Sequence, residues 1–236
     1  MAGVFYLSAF DEADTRVILE GDEARHAAAV RRIRVGEEIT VSNGQGLLGT
    51  CEVTSLNAKP PQVEASVQHI NTVPRPRLIH LAAAMPKGDR QRVLLEMVTQ
   101  VGVSEFTPLL CDRSVSKESA NSQERWQRYC LEAMKQSRRA WLPQVNRATG
   151  LKDLIDALPE ETLLVCASSD GRSVQDLGAI GQDRGIAILV GPEGGFTGDE
   201  LEAIRQKGVL EINLGDGVLR TETAAVVVTA LTRLLI

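Results

Sequence analysis

The chain has 236 residues, 43% of them hydrophobic, which is enough apolar surface for one large or two modest cores and too much for a disordered tail. Its 26 Lys and Arg face 31 Asp and Glu, a net charge of −5, and that excludes a uniformly basic nucleic-acid coat. The charge is uneven, with 6 basic and 10 acidic residues over 1–70, 13 and 7 over 71–150, and 7 and 14 over 151–236, so the segments carry −4, +6 and −7. A basic middle in an acidic protein marks either a localised anion-facing surface or a solvated, charge-rich helix face.

Residues 1 to about 70 read as short β-segments with turn signals. These are Val17–Leu19, Glu38–Ser42, an Asn43-Gly44 turn, Gly49–Thr54, and Val63–Ile70 beyond Pro60-Pro61, a pattern that predicts a small β-barrel or sandwich. One helical segment interrupts them, with Asp22 as its expected N-cap and Ala27, Val30 and Ile33 at helical spacing beside Arg25, His26, Arg31, Arg32 and Arg34. Pro74 and Pro76 oppose regular structure and place the domain boundary near residue 72.

Beyond that boundary apolar strands alternate with helices. The strands are expected at 78–84, 106–111, 163–167, 186–190 and 209–214, and the helices at 89–101, 122–139, 151–157, 199–207 and from 223 to the C-terminus. Strands that are apolar throughout, separated by helices, are what a parallel sheet covered on both faces requires. The second domain, 73–236, is therefore expected to be α/β.

The four cysteines, at 51, 111, 130 and 166, form no CxxC pair, and His26, His69 and His80 are scattered; neither a disulfide framework nor a metal site is expected. The first residues lack the basic start and apolar run of a signal peptide, and no apolar stretch reaches the roughly 18 residues that span a bilayer. A soluble, reducing, cytoplasmic setting without membrane partners is the expectation. No GxxxxGK[ST], GxSxG or HExxH occurs, and the GxGxxG at Gly44–Gly49 lies between two β-segments rather than opening a helix, which sets aside the commonest triphosphatase, hydrolase and dehydrogenase signatures.

Two loops carry the chemistry. The first, Gly191-Pro-Glu193-Gly194-Gly195-Phe-Thr197-Gly-Asp-Glu200, runs from an apolar strand into a helix. A tight turn accounts for Thr197 and Glu200 as a capping box. It accounts less well for Glu193, a carboxylate at the C-terminal end of a sheet strand, where open α/β sheets bind ligands. The second loop, Ile212-Asn-Leu214-Gly215-Asp-Gly217-Val-Leu219-Arg220-Thr221-Glu222-Thr223, leads into the C-terminal helix, whose Ala224–Val228 run is apolar all round and so reads as buried. Arg220 and Glu222 form either a local ion pair or cap, or part of a ligand site, since charges entering an interior need partners. If the loops converge, one crevice receives glycine backbone, two carboxylates and a guanidinium, a set suited to a cationic or zwitterionic small molecule beside an anionic polymer.

At these loops the sequence resembles the knotted SPOUT class of RNA methyltransferases, and within it the ribosomal RNA small subunit methyltransferase E family. The likeness rests on VGPEGGFTGDE at 190–200 and on LG followed by VLRTETA at 214–225. His26 with VRRIRVGEEITV at 30–41, GVSEFTPLLCDRSV at 102–115, and RWQRYCLEAMKQSRR at 125–139 before Leu142-Pro143 extend it over essentially the whole chain. Two departures stand out: the family tends to have Lys and Glu where this chain has the Met97–Gln100 run, and Arg near Gly217.

The resemblance implies a PUA-like β-barrel at 1–72 that helps hold RNA, and a SPOUT-type α/β domain at 73–236 ending in a deep trefoil knot. It further implies a homodimer and methylation of uridine N3 in 16S ribosomal RNA of the small subunit, with S-adenosylmethionine as donor and no metal. Carried onto this sequence, cofactor contacts fall to Gly191, Glu193, Gly194, Leu214, Gly215, Leu219 and Thr221. Arg220 and Glu222 become the catalytic candidates, for stabilising charge on the uracil oxygens and for orienting that guanidinium or accepting the N3 proton. For RNA the candidates are His26, Arg31, Arg32 and Arg34 with Arg138 and Arg139. Competing readings are a SPOUT enzyme acting on a ribose 2′-oxygen, a non-catalytic RNA-binding assembly factor, and an unrelated α/β nucleotide-binding enzyme.

Overall fold

A computed structural model describes residues 3–114, 121–179 and 185–235. The chain divides into two compact units, one of residues 1–76 with 134–142, the other of 77–133 with 143–236.

The first unit is built on five strands: β1 (Val4–Tyr6), β2 (Arg16–Leu19), β3 (Glu38–Ser42), β4 (Leu47–Ala58) and β5 (Pro61–Thr72). They hydrogen-bond in the order β1-β3-β4-β5-β2, antiparallel except for the parallel β1–β3 pair. Side chains along β2 and the first half of β4 alternate between buried and less buried positions, the period-2 signature of a sheet with one face on a core. That core is Phe5, Phe10, Val17, Leu19, Ala24, Ala27, Ile33, Ile39, Val41, Leu47, Cys51, Val53, Val63 and Ala65. β1 had no sequence signal: three residues without a flanking turn look like any apolar triplet, and only pairing to β3 makes them a strand.

Between β2 and β3 lies α1 (Gly21–Arg25), which widens without a break into a π-helical turn, His26–Arg31. The expected N-cap at Asp22 is corrected. Glu20 occupies that position without a side-chain cap, and Asp22, inside the first turn, bonds the Arg25 guanidinium instead. Of the apolar residues expected on this helix, Ala27 and Ile33 reach the core; the side chain of Val30 lies outside the described residues.

The second unit contains β6 (Ile79–Ala84), α2 (Arg90–Val101), β7 (Glu105–Leu110), α3 (Ser122–Ser137), β8 (Gln144–Val145), β9 (Thr149–Gly150) and α4 (Leu151–Ala157). There follow β10 (Leu163–Arg172), β11 (Ile186–Val190), α5 (Gly198–Gln206), β12 (Leu210–Ile212) and α6 (Thr221–Leu235). Helix α3 gives its last residues, from Met134, to the first unit. The sheet is parallel in the order β12-β10-β11-β6-β7-β8, with β9 also on β7. One face, with Ala82, Leu164, Cys166, Ala187 and Leu189, packs against Leu151, Leu154 and Ile155 of α4 and Ile204 of α5. On the other, α6 packs against β6, β11 and α2. Every residue of β11 is buried, as a strand covered on both faces must be. No helix among the described residues is long and apolar enough to cross a membrane.

Candidate functional site

In a parallel sheet all strand C-termini open on one edge, and ligands gather where loops leave it. Three loops meet there in the second unit, beside the second half of β10. After β6, Gly88 takes a positive φ of +62° and turns the chain so that Arg90 opens α2. After β11 comes Gly191–Gly195. After β12, the loop Asn213–Arg220 runs into α6. The second half of β10 contributes Ser168 and Ser169.

The loops after β6 and β11, on adjacent strands, are joined through one guanidinium. Arg90 Nη1 donates to Glu193 Oε1 at 2.5 Å and lies 3.8 Å from Glu222 Oε1. Thr221 Oγ1, at the start of α6, donates to the Gly191 carbonyl at 3.4 Å. The Glu222 side chain is only 10% exposed, and its Oε2 is buried with no hydrogen-bond partner among the described residues. A buried acceptor left unpaired costs about 1–3 kcal/mol, so Glu222 is poised to receive a donor from outside the chain.

The two predicted loops thus do converge, with the two carboxylates foreseen, but the guanidinium between them is Arg90 and not Arg220. Arg220 does not enter the interior, which corrects that expectation. It precedes α6, its carbonyl accepts from Ala224 N at 2.8 Å, and its side chain is exposed. A local Arg220–Glu222 pair is replaced by the longer-range one to Arg90.

Beside this cluster is a cavity of about 330 Å³ lined by Ala167, Ser168 and Ser169, by Asn213 through Leu219, and by Ala224. Its wall is held by Asn213, whose amide donates to the Ser169 carbonyl at 2.7 Å, whose Oδ1 accepts from Gly215 N at 2.7 Å, and whose backbone N–H donates to Arg172 at 2.8 Å. Gly215 adopts φ +121°, which L side chains rarely reach. A Cβ on Gly171 would lie 2.5 Å from the Ile212 backbone, so the end of β10 passes against β12 only as glycine.

Of the predicted cofactor residues, Leu214, Gly215 and Leu219 line the cavity. Gly191, Glu193, Gly194 and Thr221 do not; Thr221 bonds the Gly191 carbonyl and Glu193 belongs to the Arg90 bridge. Residues missed from the sequence are Arg90, Ser168, Ser169, Asn213 and Arg113, the last donating to the Gly194 carbonyl at 2.7 Å. Ser168 and Ser169 follow a strand that was foreseen, so the rule that ligands sit at strand C-termini could have found them. Arg90 had no such signal among the many basic residues of the middle segment. The RNA candidates His26, Arg31, Arg32, Arg34, Arg138 and Arg139 all lie in the first unit; Arg31, Arg32, Arg34 and Arg138 are exposed, and His26 and Arg139 are half-buried.

Comparison with known proteins matches residues 73–233 to an RNA methyltransferase domain and 19–66 to an RNA methyltransferase PUA domain. Ribosomal RNA small subunit methyltransferase E of Mycobacterium bovis is 32% identical over 96% of this chain and 89% of its own length. The chain belongs to the ribosomal RNA small subunit methyltransferase E family. The Aquifex aeolicus member is also 32% identical, over 89% of this chain and 90% of its own. The crystal structure of the Neisseria gonorrhoeae member, bound to S-adenosyl methionine, superposes with a TM-score of 0.89 at 29% identity, covering 100% of this chain and 98% of that one. A Legionella pneumophila protein solved in complex with the same cofactor gives 0.87 at 26% identity, over 99% and 98%. These likenesses span both units of the family fold, the PUA-like part and the parallel α/β part.

Proposed function

We propose that this protein transfers a methyl group from S-adenosylmethionine to N3 of a uridine in 16S ribosomal RNA. The observation that carries this reading is the buried, unpaired Oε2 of Glu222, held beside Arg90 and Glu193 at the edge of the cavity. The residues present fit the cofactor. The cavity is of small-molecule size, it is lined by Ser168, Ser169 and the Asn213–Leu219 loop, and Gly215 permits close backbone approach. Leu214, Gly215 and Leu219 would hold it directly, with Gly191, Glu193, Gly194 and Thr221 as the supporting loop. When bound, the cofactor supplies an electrophilic methyl carried on a sulfonium.

The chain does the rest. The nucleophilic nitrogen must lose its proton as it attacks, and Glu222 Oε2 is an acceptor already desolvated and aimed by its neighbours. Arg90 supplies the counter-charge that keeps two carboxylates together. Arg220, exposed at the mouth of α6, stabilises negative charge developing on the uracil oxygens, an arrangement of the oxyanion-hole type. Holding the nitrogen at attack distance contributes up to roughly 7–11 kcal/mol. His26, Arg31, Arg32, Arg34, Arg138 and Arg139 hold the RNA, most of them through its phosphates.

The same reading includes domains at 1–72 and 73–236, a C-terminal segment threaded as a trefoil knot, a cytoplasmic home and a homodimer. Dimerisation is supported by apolar side chains left in solvent on packed helices, Val93 and Met97 one turn apart on α2 and Leu234 on α6, the last 81% exposed. The deciding experiment incubates the protein with labelled S-adenosylmethionine and unmodified small ribosomal subunits and identifies the labelled nucleoside by mass spectrometry. 3-Methyluridine is the expected product; a 2′-O-methyl nucleoside would move the chemistry to ribose, and cofactor binding without any label would leave a binding role.

A further inference from the structure

We propose that the first unit grips the RNA sugar–phosphate backbone with one composite surface, made of Arg31–Arg34 and Arg138–Arg139 and held in register by the Glu23–Lys135 ion pair. The proposal rests on the RNA-methyltransferase reading above and adds to it how two segments distant in sequence act as one.

The tie is specific. Lys135 Nζ lies 2.7 Å from Glu23 Oε1, with side-chain exposures of 8% and 18%, and Glu23 Oε2 accepts from the Tyr6 backbone N–H at 3.1 Å. Both carboxylate oxygens are used. Arg31 follows Glu23 by eight residues, about two helical turns, and Arg138 and Arg139 follow Lys135 by three and four, about one turn. The 138–139 segment is also fastened on its far side. Gly46 N donates to the Ala140 carbonyl at 2.9 Å and Leu142 N to the Gly44 carbonyl at 2.8 Å, while Trp141 Nε1 donates to Val73 O at 3.1 Å. The two arginines are therefore suspended between two fixed points.

The backbone gives an independent sign. Among the described residues the non-glycine residues with positive φ are Arg32, at +52°, and Arg138, at +55°. Each ends a helix. Arg138 N–H donates to the Lys135 carbonyl and Arg139 N–H to that of Met134, the Schellman pattern in which glycine is the usual residue at the position Arg138 fills. Arg32 closes the π-helical turn in the same left-handed conformation. Ile33 and Ala140, each 5% exposed, then enter the core. Glycine would make both turns with less strain, and conformations of this kind concentrate at functional sites. What arginine adds at these positions is a guanidinium, the group whose fork matches a phosphate.

Glu23→Gln separates this proposal from simple net charge. Removing a carboxylate beside a basic surface tightens RNA binding if charge alone matters, and weakens it if the tie positions the arginines. The expected result with small ribosomal subunits is a KM raised several-fold, a smaller change in kcat, and unchanged S-adenosylmethionine affinity. Arg32→Gly and Arg138→Gly should keep or raise the melting temperature, yet each should lower the slope of log Kd against log salt by about 0.7–0.9 on RNA. Should Glu23→Gln fold poorly, the double variant Glu23→Gln with Lys135→Met removes both charges of the pair and takes the same measurement. Unchanged or tighter binding by the folded Glu23 variant, or an unchanged salt slope in the glycine variants, overturns the composite surface. If the native protein itself binds subunits without salt dependence and methylates nothing, it is the enzyme reading that falls.

Discussion

At the scale of single residues, the site is a question of where one proton and two negative charges go. Glu222→Gln keeps the shape of the side chain and removes the acceptor, so kcat should fall by about 10²–10⁴, the range of a lost general base, with cofactor affinity retained; a single-turnover assay at saturating RNA checks it. Arg90→Ala leaves Glu193 and Glu222 without their shared cation and should lower turnover, and lysine, a point charge without the planar fork, should restore it only in part. Equal rates for Arg90→Ala and native enzyme would show the bridge to be ornamental. The thiols give a second, unrelated expectation. Burial pushes Cys51 and Cys130 to about 11 and Cys111 and Cys166 to about 12, from 9.0. The folded state therefore favours the neutral thiol, so their contribution to stability is complete below pH 9 and is lost as pH rises from there toward 11–12, and native protein near neutrality should resist alkylating reagents until it unfolds. Glu193 and Gly215 were legible in the sequence because glycine-rich turns after apolar strands are locally encoded. Arg90 was not, because its partners lie 103 and 132 residues away and no local pattern distinguishes it from its basic neighbours.

Among elements, the start of α5 was the most readable and the helix faces the least. The Thr197–Glu200 capping box is present as the sequence predicts, with Glu200 N donating to Thr197 Oγ1 and Thr197 N to Glu200 Oε2. Thr197→Ala should cost about 1 kcal/mol, measurable by denaturant unfolding. The α6 sequence reads as a helix buried all round, yet Val226, Val227 and Ala230 are half-buried and Leu234 is exposed, while the polar Thr229 and Thr232 are fully buried. Composition gives how apolar a helix is; which stripe faces the sheet depends on neighbours that arrive only with the fold. The Thr229 hydroxyl has no hydrogen-bond partner among the described residues, so Thr229→Val, nearly the same shape, should stabilise by about 1 kcal/mol, and a lower melting temperature would show that a partner had been lost.

For the whole molecule, the class of each half followed from alternation in one and continuous apolar strands in the other. The strand order β12-β10-β11-β6-β7 did not, because parallel neighbours are chosen by long-range packing and the chain visits them out of sequence. Nor did the membership of residues 134–142, which read as the end of a helix and belong with strands that precede them by some sixty residues or more. The sheet also contains an acid-sensitive point. His80 Nε2 lies 2.7 Å from the Thr107 hydroxyl, which also accepts from Asn146 Nδ2 at 3.0 Å. Burial lowers the His80 pKa below 6.5, against the opposing pull of Glu105. The fold thus favours the neutral ring, and its stabilisation is intact above pH 6.5 and is lost as pH falls from there toward the lower folded value. Thermal melts through this range should show the decline, and His80→Gln should flatten it. Glu200 has both oxygens engaged, one capping its own helix and one accepting from Asp112 N at 2.9 Å, while Arg113 grips the Gly194 carbonyl. The loops after β7 and β11 are therefore latched together, and swinging either aside means releasing these bonds at once. Opening becomes an all-or-none event, so amide exchange at Asp112 and Thr197 should proceed at one common rate, and that rate sets a ceiling on any ligand exchange that requires the loops to part.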